Sequence, residues 1–431
     1  MRPRACSAGL CVLLLAACQL HATVIGASTA AESITPARIA KLPASQRQAW
    51  LDYLQRSERQ MALDKAALAA ERKGLATIPP LPKEGVGARS MPLHRDPAWY
   101  ATPEARHVAD VIVSFQTPAG GWSKNFSMAG DPRLPGQSYT TDNLSKYLGP
   151  DDFDAPRDAN WNYVGTLDND ATTTELSFLA LVAAQTPGAD PYRKAFTRGI
   201  EYLLAAQFPN GGWPQVWPLE GGYHDAITFN DNAVTEAAAV LTEVAGHRFP
   251  WVGDELCRRA ANAASRALGS ILATQVEVHG KLTLWAQQHD ALTLAPVSGR
   301  NFEPPALATG ESADILLYLM GLPHPGKDVA AAIAAGIATL KSSAVYGQDW
   351  PAGRPAEGGR RLTPKPGAGP IWPRYLSLTT LKPIFGDRDK TIHDDVNELS
   401  LERRNGYSWY SAGPQRALDA YAAWTGTHPL P

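Results

Sequence analysis

Two stretches of this sequence end in the same junction: Ile112-Val113-Ser114-Phe115-Gln116-Thr117-Pro118-Ala119-Gly120-Gly121-Trp122 and Arg198-Gly199-Ile200-Glu201-Tyr202-Leu203-Leu204-Ala205-Ala206-Gln207-Phe208-Pro209-Asn210-Gly211-Gly212-Trp213. Each runs from an apolar helical segment through Gln and a Pro-containing spacer to Gly-Gly-Trp, and the two tryptophans are 91 residues apart. Proline and then glycine stop a helix, and a large ring placed after them can fold back over the helix end. The junction therefore predicts a repeated α-hairpin. Such hairpins set in a ring make an α/α toroid.

The rest of the chain fits that reading. Beyond residue 90, apolar helical segments alternate with loops at roughly 102–115, 173–186, 192–206, 231–246, 253–275, 310–321, 326–342 and 413–425. Few runs alternate as strands do, Leu282-Thr283-Leu284-Trp285-Ala286 being one short candidate. The expected fold is mainly α, a partial (α/α) toroid with long loops and a few short strands. An apolar share of 44 % over 431 residues can fill one large core, and a formal charge of −2 gives no global field for nucleic acid or anionic membrane.

Three segments are expected. Residues 1–30 form an export signal: Arg2 and Arg4 precede the run Leu10-Cys11-Val12-Leu13-Leu14-Leu15-Ala16-Ala17, too short for a membrane span. Two processing sites compete there. Leu15-Ala16-Ala17-Cys18 resembles a bacterial lipobox, with a lipid anchor on Cys18, and Ile25-Gly26-Ala27 resembles an ordinary signal-peptidase site. The protein is accordingly secreted or periplasmic, or anchored to the outer membrane as a lipoprotein. Residues 31–90 form a helical extension ending in a linker, Ile78-Pro79-Pro80-Leu81-Pro82, and residues 91–431 form the body. Cys6, Cys11 and Cys18 fall in the leader, so Cys257 alone remains in the body and no intrachain disulfide is possible there.

Three of the body helices open on polar clusters: Asp168-Asn169-Asp170-Ala171-Thr172-Thr173-Thr174-Glu175, Asn230-Asp231-Asn232-Ala233-Val234-Thr235-Glu236 and Thr309-Gly310-Glu311-Ser312-Ala313-Asp314. Asp, Asn and Thr at such positions cap orphan amides, and an acid in the first turn suits the helix dipole. Three clusters at matching helix ends would also collect oxygen ligands at one mouth of the ring, a candidate site for a hard cation. The tryptophans Trp122 and Trp213 read as helix-end packing ahead of sugar platforms.

With these segments in view, the chain from about residue 90 resembles polysaccharide lyase family 10, the pectate lyases. The resemblance rests on Gly120-Gly121-Trp122-Ser123-Lys124-Asn125, Leu167-Asp168-Asn169, Gly211-Gly212-Trp213-Pro214-Gln215, Thr228-Phe229-Asn230-Asp231-Asn232, Gly299-Arg300-Asn301-Phe302-Glu303-Pro304-Pro305, Ile371-Trp372-Pro373-Arg374-Tyr375 and Gly386-Asp387-Arg388, in that order. It implies a toroidal, exported enzyme that cleaves α-1,4-polygalacturonate by Ca²⁺-assisted anti β-elimination and leaves 4,5-unsaturated oligogalacturonides. It further implies Ca²⁺ near Asp168, Asn169 and Asp231, and Arg300 and Asp168 as catalytic groups, Arg300 acting as the base. Substrate would be held by Lys124, Arg374, Arg388, His289 and Tyr407. A guanidinium base is expected to need a lowered pKa, through crowding by cations and desolvation.

Three rival functions are weighed against that implication. The Gln-x-x-x-Gly-x-Trp spacing is also that of triterpene cyclases, but the sequence lacks their Asp-x-Asp-Asp acid. A toroidal glycoside hydrolase would draw paired carboxylates from Asp168, Asp231 and Glu311. A non-catalytic sugar-binding protein would bind without cleaving. A monomer is the default expectation.

Overall fold

The computed structural model describes residues 24–86, 90–149, 151–186, 188–354, 356 and 358–427. The leader cluster of Arg2, Arg4, the apolar run and Cys18 lies outside them. No described helix is long and apolar enough to cross a membrane.

The chain opens with the short helix α1 (Pro36–Ile39) and the long helix α2 (Ala44–Arg72). The body follows as α3 (Pro103–Phe115), α4 (Thr173–Gln185), α5 (Asp190–Ala206), α6 (Ala233–Ala245), α7 (Asp254–Thr274), α8 (Thr309–Met320), α9 (Lys327–Ser343), the small α10 (Leu401–Gly406) and α11 (Gln415–Thr427). These bounds follow the helices expected from the sequence within a few residues. Helices α4, α6 and α8 are apolar around most of their girth and form the inner row; α5 and α7 bury one side only and lie outside them. An amphipathic helix buries its stripe, whereas one apolar all round must be enclosed. This is the partial α/α toroid.

The Gly-Gly-Trp junctions close each outer helix and tie it to the next. Trp122 and Trp213 are fully buried, and their indole N–H groups donate to carbonyls in the last turns of the two helices, Ile112 O (2.7 Å) and Leu203 O (2.8 Å). The amides of Gln116 and Gln207 donate across to Ala195 of α5 and Ala263 of α7, 2.8 and 2.9 Å away. The glycines are required: Gly120 (φ +106°) and Gly211 (φ +95°) lie so near the carbonyls of Arg198 and Arg266 that a Cβ would come within 2.6 and 2.2 Å of them. A third junction has the same wiring without the same sequence. Gln275 reaches Ala332 of α9 (2.9 Å), and Trp285 donates to Ile271 (2.7 Å). There a small hairpin, Glu277–Val278 with Lys281–Leu282, stands where Gly-Gly stood. Trp372 repeats the closure on Leu340 of α9. The strand expected over 282–286 is thus only partly formed.

Helix α2 packs on this frame: Trp50 and Tyr53 stack near Phe208, and the Tyr53 hydroxyl donates to Ala206 O at the end of α5 (2.9 Å). Cys257 is buried and is the free cysteine among the described residues. Strands are short. Val24–Ala27, which the sequence offered as a cleavage site, forms the edge strand of a five-stranded sheet, with Gly26 opposite Ile392 and Ala27 opposite Thr391.

Candidate active site

The loops that carry the junctions lie side by side at one mouth of the inner row. Thr166 N donates to Trp122 O (2.8 Å), Leu167 N to Gln215 O (3.0 Å), Phe229 N to Gln287 O (2.9 Å) and Thr309 N to Arg374 O (3.0 Å). They floor a cleft of about 540 Å³. A pattern emerges in its lining. The residue two places after each closing tryptophan, namely Lys124, Gln215, Gln287 and Arg374, faces this one cleft. Burying the ring fixes the main chain, and the fixed main chain delivers the next side chain but one.

The acidic clusters supply the other side. Asp168–Asp170 and Asn230–Asn232 form two similar one-turn 3-10 helices with left-handed residues at their centres, Asn169 (φ +54°) and Asp231 (φ +48°). Asn and Asp tolerate that conformation better than most residues. Capping explains the clusters only in part: the residues at the cap positions of α4, α6 and α8, Thr172, Asn232 and Ala308, make no side-chain cap bond, although Glu175 in the first turn of α4 bonds the Thr172 main chain. Thr172 instead adopts φ +69°, strained for a β-branched residue, while its hydroxyl accepts from Trp122 N (3.1 Å) and donates to Thr166 O (2.8 Å). The acidic turn is thereby fastened to the first junction.

The two turns bring Asp168 and Asp231 together. Asp231 accepts from Asn169 N (3.2 Å), and the Asn230 amide donates to both carboxylates, 3.2 Å to Asp168 and 2.8 Å to Asp231. Asp168 also accepts from Gln215 (2.6 Å) and is ion-paired with Lys124, whose ammonium sits 3.4 Å from the Tyr163 ring centre. Burial disfavours the Asp168 charge, yet Lys124 and Arg300 outweigh it and hold the pKa below the usual carboxylate range. For Asp231, burial and then the neighbouring Asp168 charge act in the same direction and raise the pKa. A pair of that kind is relieved by a cation. Among the described residues no group of three or more His, Cys, Asp or Glu side chains is placed to hold a metal. The donors on offer are two carboxylates and the Asn169 amide oxygen, with Gln215 Oε1 buried beside them and unpartnered. All are hard oxygens, which fit Ca²⁺.

Arg300 stands at the cleft wall, 37 % exposed, its Nη2 2.5 Å from the buried Glu303. The expected lowering of its pKa is not what this structure has. Burial does work against the charge, but the Glu303 carboxylate at hydrogen-bond distance dominates and puts the pKa well above the ordinary arginine value. Glu303 in turn accepts from the Tyr407 hydroxyl (2.6 Å). Arg374 lines the same cleft, paired with Glu311 (2.6 Å) and lying over the Tyr407 ring.

Two expected substrate contacts are placed elsewhere. His289 is fully buried and absent from the cleft lining. One ring nitrogen accepts from Ala286 N (3.0 Å), the other lies 2.8 Å from Leu294 O, and burial lowers its pKa to about 4, so it is a structural histidine. Arg388 stands behind the lining, held by Glu402 (2.8 Å) and packed on Tyr147 and Phe302. Sequence reasoning passed over Gln215, Gln287, Asp154 and Arg360, all of which line the cleft. The first two were findable from their place after the tryptophans.

The chain matches the family model described as pectic acid lyase over residues 116–418. A family 10 polysaccharide lyase from Cellvibrio cellulosa is similar in structure, with 30 % identity, a TM-score of 0.63, and 78 % of this chain and 97 % of that one covered. An aspartate-to-alanine mutant of a family 10 polysaccharide lyase from Cellvibrio cellulosa, in complex with trigalacturonic acid, is 28 % identical with a TM-score of 0.63, covering 80 % and 99 %. No curated protein matches. The length of these matches and the order of the junctions within them lead to one conclusion: this chain belongs to the pectic acid lyases, polysaccharide lyase family 10.

Proposed function

We propose that this pectate lyase cleaves α-1,4-polygalacturonate by Ca²⁺-assisted anti β-elimination, acts as a monomer after export, and releases 4,5-unsaturated oligogalacturonides. The observation that carries the reading is the joined Asp168–Asp231 pair, with Lys124 bonded to Asp168, sharing one cleft with Arg300 and Arg374. In β-elimination the proton at C5 of a uronate leaves while the bond from C4 to the glycosidic oxygen breaks, and charge develops on the adjacent carboxylate. Cations must meet that carboxylate. A Ca²⁺ held by Asp168, Asn169 and Asp231 would supply charge neutralisation there.

The chain's own residues do the rest. Arg374, with a planar fork suited to carboxylates, and Lys124 orient the substrate. Glu303 and Tyr407 hold the Arg300 guanidinium against the cleft. Arg300 takes the C5 proton in its deprotonated form, which requires the bound substrate and Ca²⁺ to offset the Glu303 ion pair that keeps it charged in the substrate-free site, and that form grows with pH. Activity therefore rises into the alkaline range. The Glu303 ion pair also favours a second reading, in which Arg300 stays charged as a carboxylate clamp and hydroxide takes the proton. A kcat/KM profile of Arg300→Ala separates them: retained turnover that still climbs with pH supports the clamp, and loss of turnover at every pH supports the base.

The decisive experiment is incubation with polygalacturonate, with and without a Ca²⁺ chelator. A new ultraviolet absorbance that the chelator abolishes supports the proposal. Reducing ends without absorbance mean hydrolysis, and binding without cleavage means a lectin-like protein. For export, the pairing of Val24–Ala27 with Thr391–His393 supports processing before Cys18, since cleavage after Ala27 would strip that strand from its sheet. Mass measurement of the mature N-terminus, with or without diacylglycerol, tests this.

A further inference from the structure

Three cations lining the cleft each have an acidic partner: Lys124 has Asp168, Arg300 has Glu303 and Arg374 has Glu311. Arg360 lines it too and differs. Among the described residues its side chain bonds main-chain carbonyls alone, Nε to Pro351 O at 3.1 Å and Nη2 to Trp350 O at 3.0 Å, while the guanidinium lies 5.1 Å from the Trp350 ring centre. Its main chain is fixed from both sides. The amide donates to Asn405 Oδ1 (2.9 Å), and the carbonyl accepts from Arg404 Nη1 (2.9 Å), so the loop is clamped to α10. Burial lowers its pKa from the ordinary value.

A guanidinium carries five donors. Two point at carbonyls here, and no bond to Nη1 is made by a described residue. A clamped, aromatic-backed cation with spare donors and no acidic partner among the described residues, set in the wall beside Asn405, Tyr407 and Ser408, is built to receive an anion. The substrate carries one carboxylate on every sugar unit.

We propose that Arg360 binds the carboxylate of a galacturonate unit other than the one undergoing elimination, and so makes the enzyme select de-esterified polymer at that neighbouring unit. The inference rests on the polygalacturonate reading above. Methyl esterification removes the charge and one acceptor, and leaves Arg360 with nothing to pair with.

The test compares wild type with Arg360→Met, which keeps an apolar stem over Trp350 but no charge, and Arg360→Lys, which keeps the charge. Initial rates of unsaturated product are measured on polygalacturonate and on partly methyl-esterified pectin, alongside melting curves. On polygalacturonate, Arg360→Met is expected to raise KM about tenfold or more with kcat changed by less than about twofold, the loss of one charge-assisted pair. Arg360→Lys is expected to recover part of that loss, and the penalty is expected to shrink on the esterified polymer. An unchanged KM overturns the proposal, as does a penalty equally large on both polymers or one that follows a lowered melting temperature in both variants. If wild type itself forms no unsaturated product, the lyase reading fails instead, whatever Arg360 does.

Discussion

The turns Leu167-Asp168-Asn169-Asp170-Ala171 and Phe229-Asn230-Asp231-Asn232-Ala233 share a backbone and exchange their charges. Where the first has Asp, Asn, Asp, the second has Asn, Asp, Asn. One consequence is geometric: the acid at the first position of one turn meets the acid at the second position of the other, and Asn230 bridges them. The other is electrostatic. Asp168 has Lys124 and is held ionised, whereas Asp231 has no ion-paired cation among the described residues and is pushed toward the neutral form. A repeated fold with an exchanged sequence makes one site from two halves, and leaves one half waiting for positive charge.

The largest effect expected lies just opposite both halves. Arg300→Ala should lower kcat/KM by about a thousandfold or more, the loss of a group acting only in the transition state, with oligogalacturonate binding retained in calorimetry. Retained turnover that still climbs with pH would rule out Arg300 as the base and leave it the clamp. Next come the halves themselves. Asp231→Ala and Asp168→Asn should each cost about a hundredfold or more in rate and raise the Ca²⁺ needed for half-maximal activity, as loss of a metal ligand does. If the two variants differ, Asp168→Asn should be the worse, because it also strands Lys124. An Asp231→Ala enzyme with unaltered Ca²⁺ dependence would mean that the second turn is only architecture.

The contrast continues into the first turns of the inner helices. Glu175 of α4 is buried and pushed up to about 8 by burial, which outweighs the hydrogen bonds from the main chain of Glu175 and Thr172 and from the Thr174 hydroxyl (3.4 Å). Glu236 of α6 rises less, to about 7, burial again leading, and accepts a 2.6 Å bond from Thr173. For Glu175 the folded state binds more protons than the unfolded state between the ordinary carboxylate value and about 8. Its contribution is present at acid pH and lost as pH rises through that window. Glu175→Gln should flatten the fall in stability across the window, by at most on the order of 5 kcal/mol at the alkaline end. Denaturant melts at several pH values read this directly, and parallel slopes for the two proteins would show that Glu175 is not the titrating group.

How much of this the sequence carried depends on whether a feature was local. Helix positions were legible because apolar spacing and Pro or Gly stops act within a few residues. So were the first two junctions, and the meeting of Asp168, Asn169 and Asp231 followed from their place at helix starts. The edge strand Val24–Ala27 was not legible, since its partner Thr391–His393 is far away in the chain. His289 and Arg388 looked available because a sequence does not display burial or a distant partner such as Glu402. Arg300 looked deprotonatable although Glu303 is three residues on, a spacing that could have announced the ion pair.

The smallest effect tests the deepest of these comparisons, between a junction that announces itself and one that does not. Trp213 follows Gly-Gly, whereas Trp285 follows the hairpin Lys281–Leu282, yet both indoles close an outer helix at nearly the same distance, on Leu203 and Ile271. If the closure is what has been kept, the two should be energetically equal. Trp213→Phe and Trp285→Phe should each cost about 1–3 kcal/mol, for a lost hydrogen bond to a helix-end carbonyl and a small void. Urea unfolding midpoints give the answer. A neutral Trp285→Phe beside a costly Trp213→Phe would mean that the third junction shares only the appearance of the first two. Equal losses would show that the toroid repeats a hydrogen bond and a buried ring, and that Gly-Gly is one of several ways to bring the ring there.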